Sequence, residues 1–431
     1  MSDSVQCRGF TQKGARCTKR TRSESGWCGR CVGVLPAGPV PAGNGGAAAG
    51  SDPLAVDGPR VWEAGVDERH KLAESEVTAP ELLDVIAGSG DLRCRRLVAA
   101  NRSAGPGTLA ALADSDDRVT VRSVAGNPST APETLSVLAG HGDPDTRSRV
   151  ARHHSTPPEV YSKLVADPDS GVREHAARSV HATPQTLAVL AEDPDVEVRK
   201  AVAESDVTDP ETLAGFIGDF EPAVIQAACR NPRIPPAALS RAAVIPSNEV
   251  RATVAGRKNA PIDALLVLGG ARDPGVGVVL ARNPAAPPPV LLALAGSNDP
   301  ETSRIVAGRD DAPAAALVKL CRPGLDALAG ITIAKRHDIP PQAAEQLSRT
   351  TNTSTLSALA ANQSTPPAVL ARLADASKPD QVRRAAAANP ATPPGALTVL
   401  AADTNPAVRA KAAKNPSTPP AGKAAGGLLN D

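Results

Sequence analysis

The feature that most constrains the fold of this 431-residue chain is a motif that recurs every 26 or 27 residues. Self-similarity at such a period is typical of solenoids, in which each repeat buries its apolar side against its neighbours. Such a chain has many thin interfaces in place of one large core, which agrees with a content of only six aromatic residues. One residue of each repeat, here called the anchor, stands at Ser75, Asn101, Asn127, His153, Ser179, Ser205, Asn231, Arg257, Asn283, Arg309, Arg336, Asn362, Asn389 and Asn415.

Each repeat carries the pattern of two short helices. A leucine stands eight residues after most anchors, as Leu135 does after Asn127, and an apolar residue follows three positions later. This spacing predicts one amphipathic helix. Ten residues before the next anchor, a good N-cap residue such as Asp143 predicts a second helix at eleven of thirteen positions. We therefore expect an all-α solenoid of about thirteen 26-residue, two-helix repeats, whose helices are too short to be stable alone.

The turn residues predict how these helices start and stop. Proline follows several N-cap residues, as at Pro144, where the missing N–H costs nothing. Segments of the form Thr-x-x-Glu predict capping boxes before the leucine-bearing helix, and an anchor Asn followed by Pro predicts a left-handed residue that ends the second helix. The Thr-x-x-Glu segments are Thr78–Glu81, Thr130–Glu133, Thr156–Glu159 and Thr208–Glu211.

Two stretches carry a resemblance to a known family: Asn-Pro-Ser-Thr-x-Pro-Glu-x-Leu-x-x-Leu-Ala at 127–139 and Asp-Pro-Asp-x-x-Val-Arg-x-x-Val at 193–202. They resemble the leucine-rich repeat variant family over residues 66–421 or so. The resemblance implies alternating α- and 3₁₀-helices wound into a right-handed superhelix. Residues 309–362 depart most from the pattern, because Ala344 replaces a leucine and one residue is added, so we expect an irregularity there.

Four cysteines lie close together before the repeats, with the spacing C-x9-C-x10-C-x2-C over Cys7, Cys17, Cys28 and Cys31. Four thiolates suffice for a closed tetrahedral Zn²⁺ site whose binding energy would fold so short a segment. The opening C-x-G-x-T-x-x-G-x-x-C resembles short zinc-binding modules. An iron–sulfur cluster is the alternative, since variant-repeat proteins can carry one on an N-terminal cysteine cap, and redox-active thiols are a third possibility.

The domain organisation follows from these features. Residues 1–33 form the predicted metal-binding module, and residues 60–431 form the predicted solenoid. Between them, residues 34–59 are rich in Gly, Ala and Pro without periodicity, which is typical of a flexible linker.

Charge is segregated although the formal net charge is only +1. Residues 1–33 contain seven basic and two acidic side chains, together with Phe10 and Trp27 as possible stacking groups for nucleic-acid bases. In the repeats, Arg147, Arg173 and Arg199 share one position, where they could form a cationic ladder for a partner. Pairing with an acid of the same helix, or bridging between neighbouring repeats, is the alternative.

No residue set for catalysis is evident. Cys94, Cys229 and Cys321 stand in columns of small apolar residues and are predicted to pack, and His153 with His181 supplies too few positions for a ligand set. Motifs for nucleophilic, phosphate-binding or metalloprotease chemistry are absent from the sequence.

These features predict a non-enzymatic scaffold that binds a macromolecule, with a protein as the expected partner. Nucleic-acid binding through residues 1–33 is the alternative, and an iron–sulfur, redox-linked binding protein is the second. We expect a cytoplasmic protein with no membrane or small-molecule partner, since neither a signal peptide nor a long apolar run is present.

Overall fold

The computed structural model describes residues 5–6, 20–21, 65–270 and 273–421. Strands β1, Val5–Gln6, and β2, Arg20–Thr21, pair in antiparallel fashion with Val5 opposite Thr21. The rest of the predicted metal-binding module and the predicted linker 34–59 lie outside the described residues. Their boundaries therefore stay predictions.

The chain divides into two compact units, Met1–Asp209 and Pro210–Asp431, and each unit is a stack of helical hairpins. Odd-numbered helices end at an anchor and are called anchor helices; even-numbered helices carry the leucine column and are called leucine helices. In the first unit these are α1 Val66–Glu74, α2 Pro80–Ala87, α3 Leu92–Ala100, α4 Pro106–Ala113, α5 Arg118–Gly126, α6 Pro132–Leu138, α7 Pro144–Arg152, α8 Pro158–Val165, α9 Ser170–Ala177, α10 Pro184–Leu190 and α11 Val196–Glu204.

The second unit continues the same alternation. Its helices are α12 Pro210–Gly215, α13 Pro222–Arg230, α14 Pro236–Ala242, α15 Asn248–Gly256, α16 Ile262–Gly270, α17 Pro274–Arg282, α18 Pro288–Leu294, α19 Pro300–Gly308, α20 Ala314–Leu320, α21 Ala327–Lys335, α22 Pro341–Leu347, α23 Thr353–Ala361, α24 Pro367–Leu373, α25 Asp380–Ala388, α26 Pro394–Ala401 and α27 Pro406–Lys414. The described residues therefore confirm the predicted all-α fold of two helices per repeat.

The helix starts follow the N-cap prediction. Asp143 precedes α7 and its side chain accepts a hydrogen bond from the backbone N–H of Thr146, while Pro144 occupies the first helical position. A carboxylate, amide or hydroxyl oxygen of the N-cap residue does the same in most anchor helices, which satisfies donors that the helix itself leaves unpaired. Side-chain caps of this kind are present at Asp91, Asp117, Asp143, Asp169, Asp195, Ser247, Asp273, Asp299, Asp326, Asn352 and Asn405.

The predicted Thr-x-x-Glu capping boxes were wrong. The N-cap of α6 is Ala131, and the hydroxyl of Thr130 instead donates to the carbonyl oxygen of Val124, at 2.6 Å, in the preceding anchor helix. Proline must stand at the first helical position, so the threonine falls one residue too early to cap. It satisfies one of the orphan carbonyls at the end of the anchor helix. The same bond is made by Thr78, Thr156 and Thr208.

The left-handed anchor was also wrong, and its correction reveals the main link between repeats. Asn127 has an extended backbone with φ −79° and ψ 123°. Its side-chain Nδ2 donates at 2.8 Å to the carbonyl oxygens of Ala99 and Asn101 in the preceding repeat, and its Oδ1 accepts from the N–H of Ser129. Each anchor amide thus ties the end of one anchor helix to the next. Equivalent asparagines are Asn101, Asn283, Asn362, Asn389 and Asn415.

Other side chains replace asparagine in this ladder. His153 donates from Nε2 to the carbonyl oxygen of Asn127 at 2.8 Å, and its Nδ1 accepts from the N–H of Ser155. In the second unit, Nη1 of Arg257 donates to the carbonyl oxygens of Cys229 and Asn231. Arg309 and Arg336 make similar bonds. Asparagine and arginine donate to two carbonyl oxygens and His153 donates to one, so three residue types supply this link.

The resemblance implied alternating α- and 3₁₀-helices, but both helices of the repeat are α-helical. In α6 the N–H of Leu135 donates to the carbonyl oxygen of Ala131, four residues earlier, and that of Ala139 donates to Leu135. Bonds spanning three residues appear only at the end of the helix, where Gly140 donates to Val137. The segment Phe216–Gly218, after α12, is a 3₁₀-helix. The handedness of the superhelix stays a prediction.

The extra residue at 309–362 is accommodated in a turn. Between α20 and α21, residues Cys321–Asp326 form a longer connection in which Gly324 has φ +83°, a conformation that glycine adopts without a steric penalty. The flanking helices keep their apolar columns, since Leu317 and Leu347 are buried. The expected irregularity is therefore local.

The anchor ladder yields the first prediction. Asn362→Ala removes two donated hydrogen bonds and one accepted bond and should lower the free energy of unfolding by about 2 kcal/mol. Gln363→Ala, which truncates the exposed amide next to it, should change it by less than about 0.5 kcal/mol. Urea denaturation of both full-length variants measures the difference. Equal stabilities would contradict the role of the anchor amide.

Candidate interaction surface

The arginines predicted to form a cationic ladder lie in consecutive anchor helices, and Arg147 and Arg173 contact the following repeat. Nε and Nη2 of Arg147 donate to both carboxylate oxygens of Asp167, at 2.7 and 2.8 Å. Arg173 makes the same bidentate pair with Asp193, at 2.6 and 2.9 Å. Nη1 of Arg199 donates at 2.9 Å to the carbonyl oxygen of Asp193, in the turn before its own helix. Bridging between neighbouring repeats is therefore what the structure shows for Arg147 and Arg173.

A second kind of bridge between repeats uses the N-cap aspartate as the acceptor. Nε and Nη2 of Arg122 donate to the carboxylate of Asp143 at 2.8 and 2.7 Å, and the hydroxyl of Thr146 donates to the same carboxylate at 2.8 Å. Here one carboxylate caps its own helix and also binds an arginine of the preceding anchor helix. The pairs Arg96–Asp117 and Arg304–Asp326 have this arrangement.

These bridges set the charge state of the aspartates. Hydrogen bonds from Arg122 hold the pKa of the Asp143 carboxyl well below its usual range, although burial acts in the opposite direction. Hydrogen bonds from Arg304 lower the pKa of Asp326 to about 2. The carboxylates therefore stay ionised near neutral pH, and the paired guanidinium groups have little free charge to offer a partner.

The other predicted site residues are not tested. Trp27 and the predicted metal ligands Cys7, Cys17, Cys28 and Cys31 lie outside the described residues.

The first unit has a polar groove of about 610 Å³ on the exposed side of α5, α7 and α9. Gly126, Pro128 and Ser148 line it, and Arg149 and Arg152 are its cationic residues. Both arginines are exposed. Among the described residues, neither guanidinium has a salt bridge or a hydrogen bond to another side chain. This distinguishes them from Arg147, only two residues away.

The groove is positively charged because two guanidinium groups, of Arg149 and Arg152, stand beside one carboxylate, that of Asp145. Asp145 accepts a 2.7 Å salt bridge from Arg122, whose guanidinium lies in the previous repeat. The side chain of Arg149 extends across Gly126, where a β-carbon would stand 3.1 Å from Nη1. A larger residue at position 126 would displace the guanidinium, so the glycine allows Arg149 to lie over the neighbouring helix.

Histidines form one wall of the groove. The rings of His153 and His154 stack with their centroids 4.6 Å apart. Burial lowers the pKa of His153, which is consistent with a neutral ring in the anchor ladder. His175 donates from Nδ1 to the carbonyl oxygen of Gly171 at 2.6 Å. His181 binds the carbonyl oxygen of His153 through Nε2, so its ring also serves to link repeats.

Cysteine chemistry is suppressed at two positions of the second unit. Cys229 and Cys321 are buried, as predicted for packing residues, and burial raises the pKa of Cys229 to about 11 and that of Cys321 to about 12. A thiol with so high a pKa is a poor nucleophile near neutral pH.

The sequence contains a pattern that indicates the groove, but this pattern is less conspicuous than the arginine column. Asp145, Arg149 and Arg152 stand at positions i, i+4 and i+7 of one helix, so they share the face opposite the buried Val150 and Ala151. Among the described residues, neither Arg149 nor Arg152 has an acidic partner, so both charges stay available.

No protein-family model and no curated protein matches the chain. A solved leucine-rich repeat variant with a novel repetitive structural motif is 27% identical and matches with TM-score 0.40, over 47% of this chain and 81% of that one. Kap95p bound to RanGDP is 11% identical, with TM-score 0.30 over 81% of this chain and 55% of that one. Kap121p bound to Ste12p is 11% identical, with TM-score 0.28 over 82% of this chain and 47% of that one.

None of the helices in the described part of the chain has the length and apolar character needed to span a bilayer.

The two kinds of arginine should differ in how much each stabilises the fold. Arg147→Ala leaves the carboxylate of Asp167, whose side chain is only 6% exposed, without its partner and should lower the free energy of unfolding by about 3 kcal/mol. Arg149→Ala should change it by less than about 0.5 kcal/mol. Urea denaturation compares the two variants. A large loss of stability in Arg149→Ala would show that this guanidinium is structural.

The N-cap bridges predict a loss of stability in acid. The pKa of Asp326 is lower in the folded chain than in the unfolded chain, so its stabilising effect is complete above about pH 4 and disappears as the pH falls toward 2. In Asp326→Asn the free energy of unfolding should fall less steeply over this window than in the wild type. Arg304→Ala should flatten the same step. A wild-type slope in Asp326→Asn would contradict the assignment.

Proposed function

We propose that the chain is a non-enzymatic scaffold that binds an acidic segment of a partner protein in the groove of its first unit. The observation that carries this proposal is the pair of exposed, unpaired guanidinium groups of Arg149 and Arg152 in a groove whose acidic residue, Asp145, is already paired. Two forked donors suit carboxylate groups, which they bind in bidentate fashion. Repeat stacks offer extended surfaces for such binding.

A protein partner agrees better with the groove than a nucleic acid does. Two free cations supply a small electrostatic contribution, whereas nucleic-acid binding depends on many phosphate contacts. The carboxylates of Glu174 and Glu204 hold Arg178, the neighbouring arginine, in salt bridges. This mixed surface suits a specific polypeptide with a few well-placed acidic side chains.

The N-terminal cysteines form the second part of the proposal. The donor set of Cys7, Cys17, Cys28 and Cys31 suits a structural zinc ion, which would fold the basic segment 1–33 around it. Metal analysis of protein purified without oxygen tests this. One zinc per site and a colourless sample support it, and iron with inorganic sulfide would favour the cluster alternative.

Peptide binding tests the groove. A fluorescent peptide of alternating Glu and Gly is titrated into the full-length chain at low salt. Arg149→Ala combined with Arg152→Ala should weaken binding about 10-fold, because exposed charge pairs contribute at most about 1 kcal/mol each. Arg230→Ala is the matched control, since Arg230 occupies the position of Arg152 in a repeat of the second unit and is also exposed.

Equal affinity of the double variant and the wild type would contradict the proposal. A single-stranded oligonucleotide serves as the competing probe. If it binds far more tightly than the peptide, weakens steeply with salt and ignores the double variant, the basic segment 1–33 is a nucleic-acid site and the alternative function replaces the groove.

A further inference from the structure

The N-cap bridge has the same composition in two consecutive repeats of the first unit, and the repeat before them departs from it. In the regular form an arginine binds the N-cap aspartate of the next anchor helix, and a threonine three residues after that aspartate donates its hydroxyl to the same carboxylate. Arg96, Asp117 and Thr120 make this triad, with Thr120 Oγ1 at 2.7 Å from the carboxylate. Arg122, Asp143 and Thr146 repeat it.

The first bridge, between α1 and α3, replaces the arginine and the threonine by metal-binding residues. His70 stands where Arg96 and Arg122 stand, and its Nε2 lies 3.1 Å from Oδ2 of Asp91. Cys94 stands where Thr120 and Thr146 stand. The donor atoms of His70, Asp91 and Cys94 all lie within 4.8 Å of one another.

We propose that His70, Asp91 and Cys94 bind a zinc-class divalent cation, in a site separate from the N-terminal cysteines. One imidazole nitrogen, one carboxylate oxygen and one thiolate are the ligand types that zinc prefers. A thiolate and a carboxylate neutralise the two charges of the ion, so the complex can form at the edge of an apolar interface.

The spacing of the donors suits tetrahedral coordination. Nitrogen and oxygen ligands about 2.0–2.1 Å from zinc stand roughly 3.3 Å apart at a tetrahedral angle, close to the 3.1 Å between His70 and Asp91. A sulfur ligand about 2.3 Å from the ion stands roughly 3.6 Å from the other two. The limit of 4.8 Å in the structure leaves the Cys94 side chain only a small movement to make.

The surroundings hold two of the ligands and leave one side open. His70 and Cys94 are buried, and Oδ1 of Asp91 is fixed by the N–H of Arg93 at 2.8 Å, which leaves Oδ2 to face the histidine. The side chain of Asp91 is 27% exposed. An ion can therefore enter past Asp91, and a water molecule can complete the coordination.

The test compares the full-length wild type with His70→Arg combined with Cys94→Thr. This double variant restores the regular Arg–Asp–Thr triad, so it should fold, as far-ultraviolet circular dichroism will verify. Both proteins are stripped with a chelator under reducing conditions, reloaded with Zn²⁺ and desalted. The wild type should retain one more equivalent of zinc than the double variant, by elemental analysis. The N-terminal cysteines are unchanged in both and cancel in the comparison.

Two further measurements fix the assignment. Cys229→Ala, which removes another buried thiol, should retain the full zinc content of the wild type. Loading with Co²⁺ should give the wild type additional absorption from a tetrahedral Co²⁺–thiolate centre that the double variant lacks. Equal zinc content and equal Co²⁺ spectra in the wild type and the folded double variant would overturn the proposal.

Discussion

The hydrogen bonds from most anchor side chains to two carbonyl oxygens of the preceding repeat are the interaction on which the rest of this structure depends. The helices are only six to nine residues long, below the length at which a helix is stable by itself in water. Apolar contacts alone would let neighbouring hairpins slide, because Ala, Val and Leu columns are smooth and chemically uniform. The anchor amide fixes the register, since a buried donor with two carbonyl partners is satisfied in only one position.

The sequence predicted the elements well and their connections poorly. Leucine spacing and N-cap residues located the helices, because burial of Leu135 and capping by Asp143 are local properties of a segment. The role of Asn127 was misassigned, since its partners Ala99 and Asn101 lie a full repeat away and a local left-handed turn explained the same residue. Thr130 was misassigned for a similar reason: its partner Val124 belongs to the preceding helix.

The candidate surface shows the same limit. One column of arginines was predicted to bind a partner because it repeats. The repetition instead reflects a structural bridge to the following repeat. Arg149 does not recur at its position in the other repeats, and only the packed structure shows that its charge and that of Arg152 remain free. In this chain the conspicuous periodic residues hold the stack together, while the proposed binding residue Arg149 is a local exception to the period. His70 and Cys94 are exceptions of the same kind.

The residue that follows each anchor has a consequence for the chemical lifetime of the protein. Asparagine ages by deamidation when the backbone nitrogen of the next residue attacks the side-chain amide and closes a succinimide ring. Proline has no N–H with which to complete this reaction, and it follows the anchors Asn127, Asn283, Asn389 and Asn415. A proline that ends a helix therefore also protects the adjoining rung from conversion to aspartate, whose carboxylate could not donate to the two carbonyls. Asn101 and Asn362 precede Arg and Gln, so among these rungs deamidation should begin at those two.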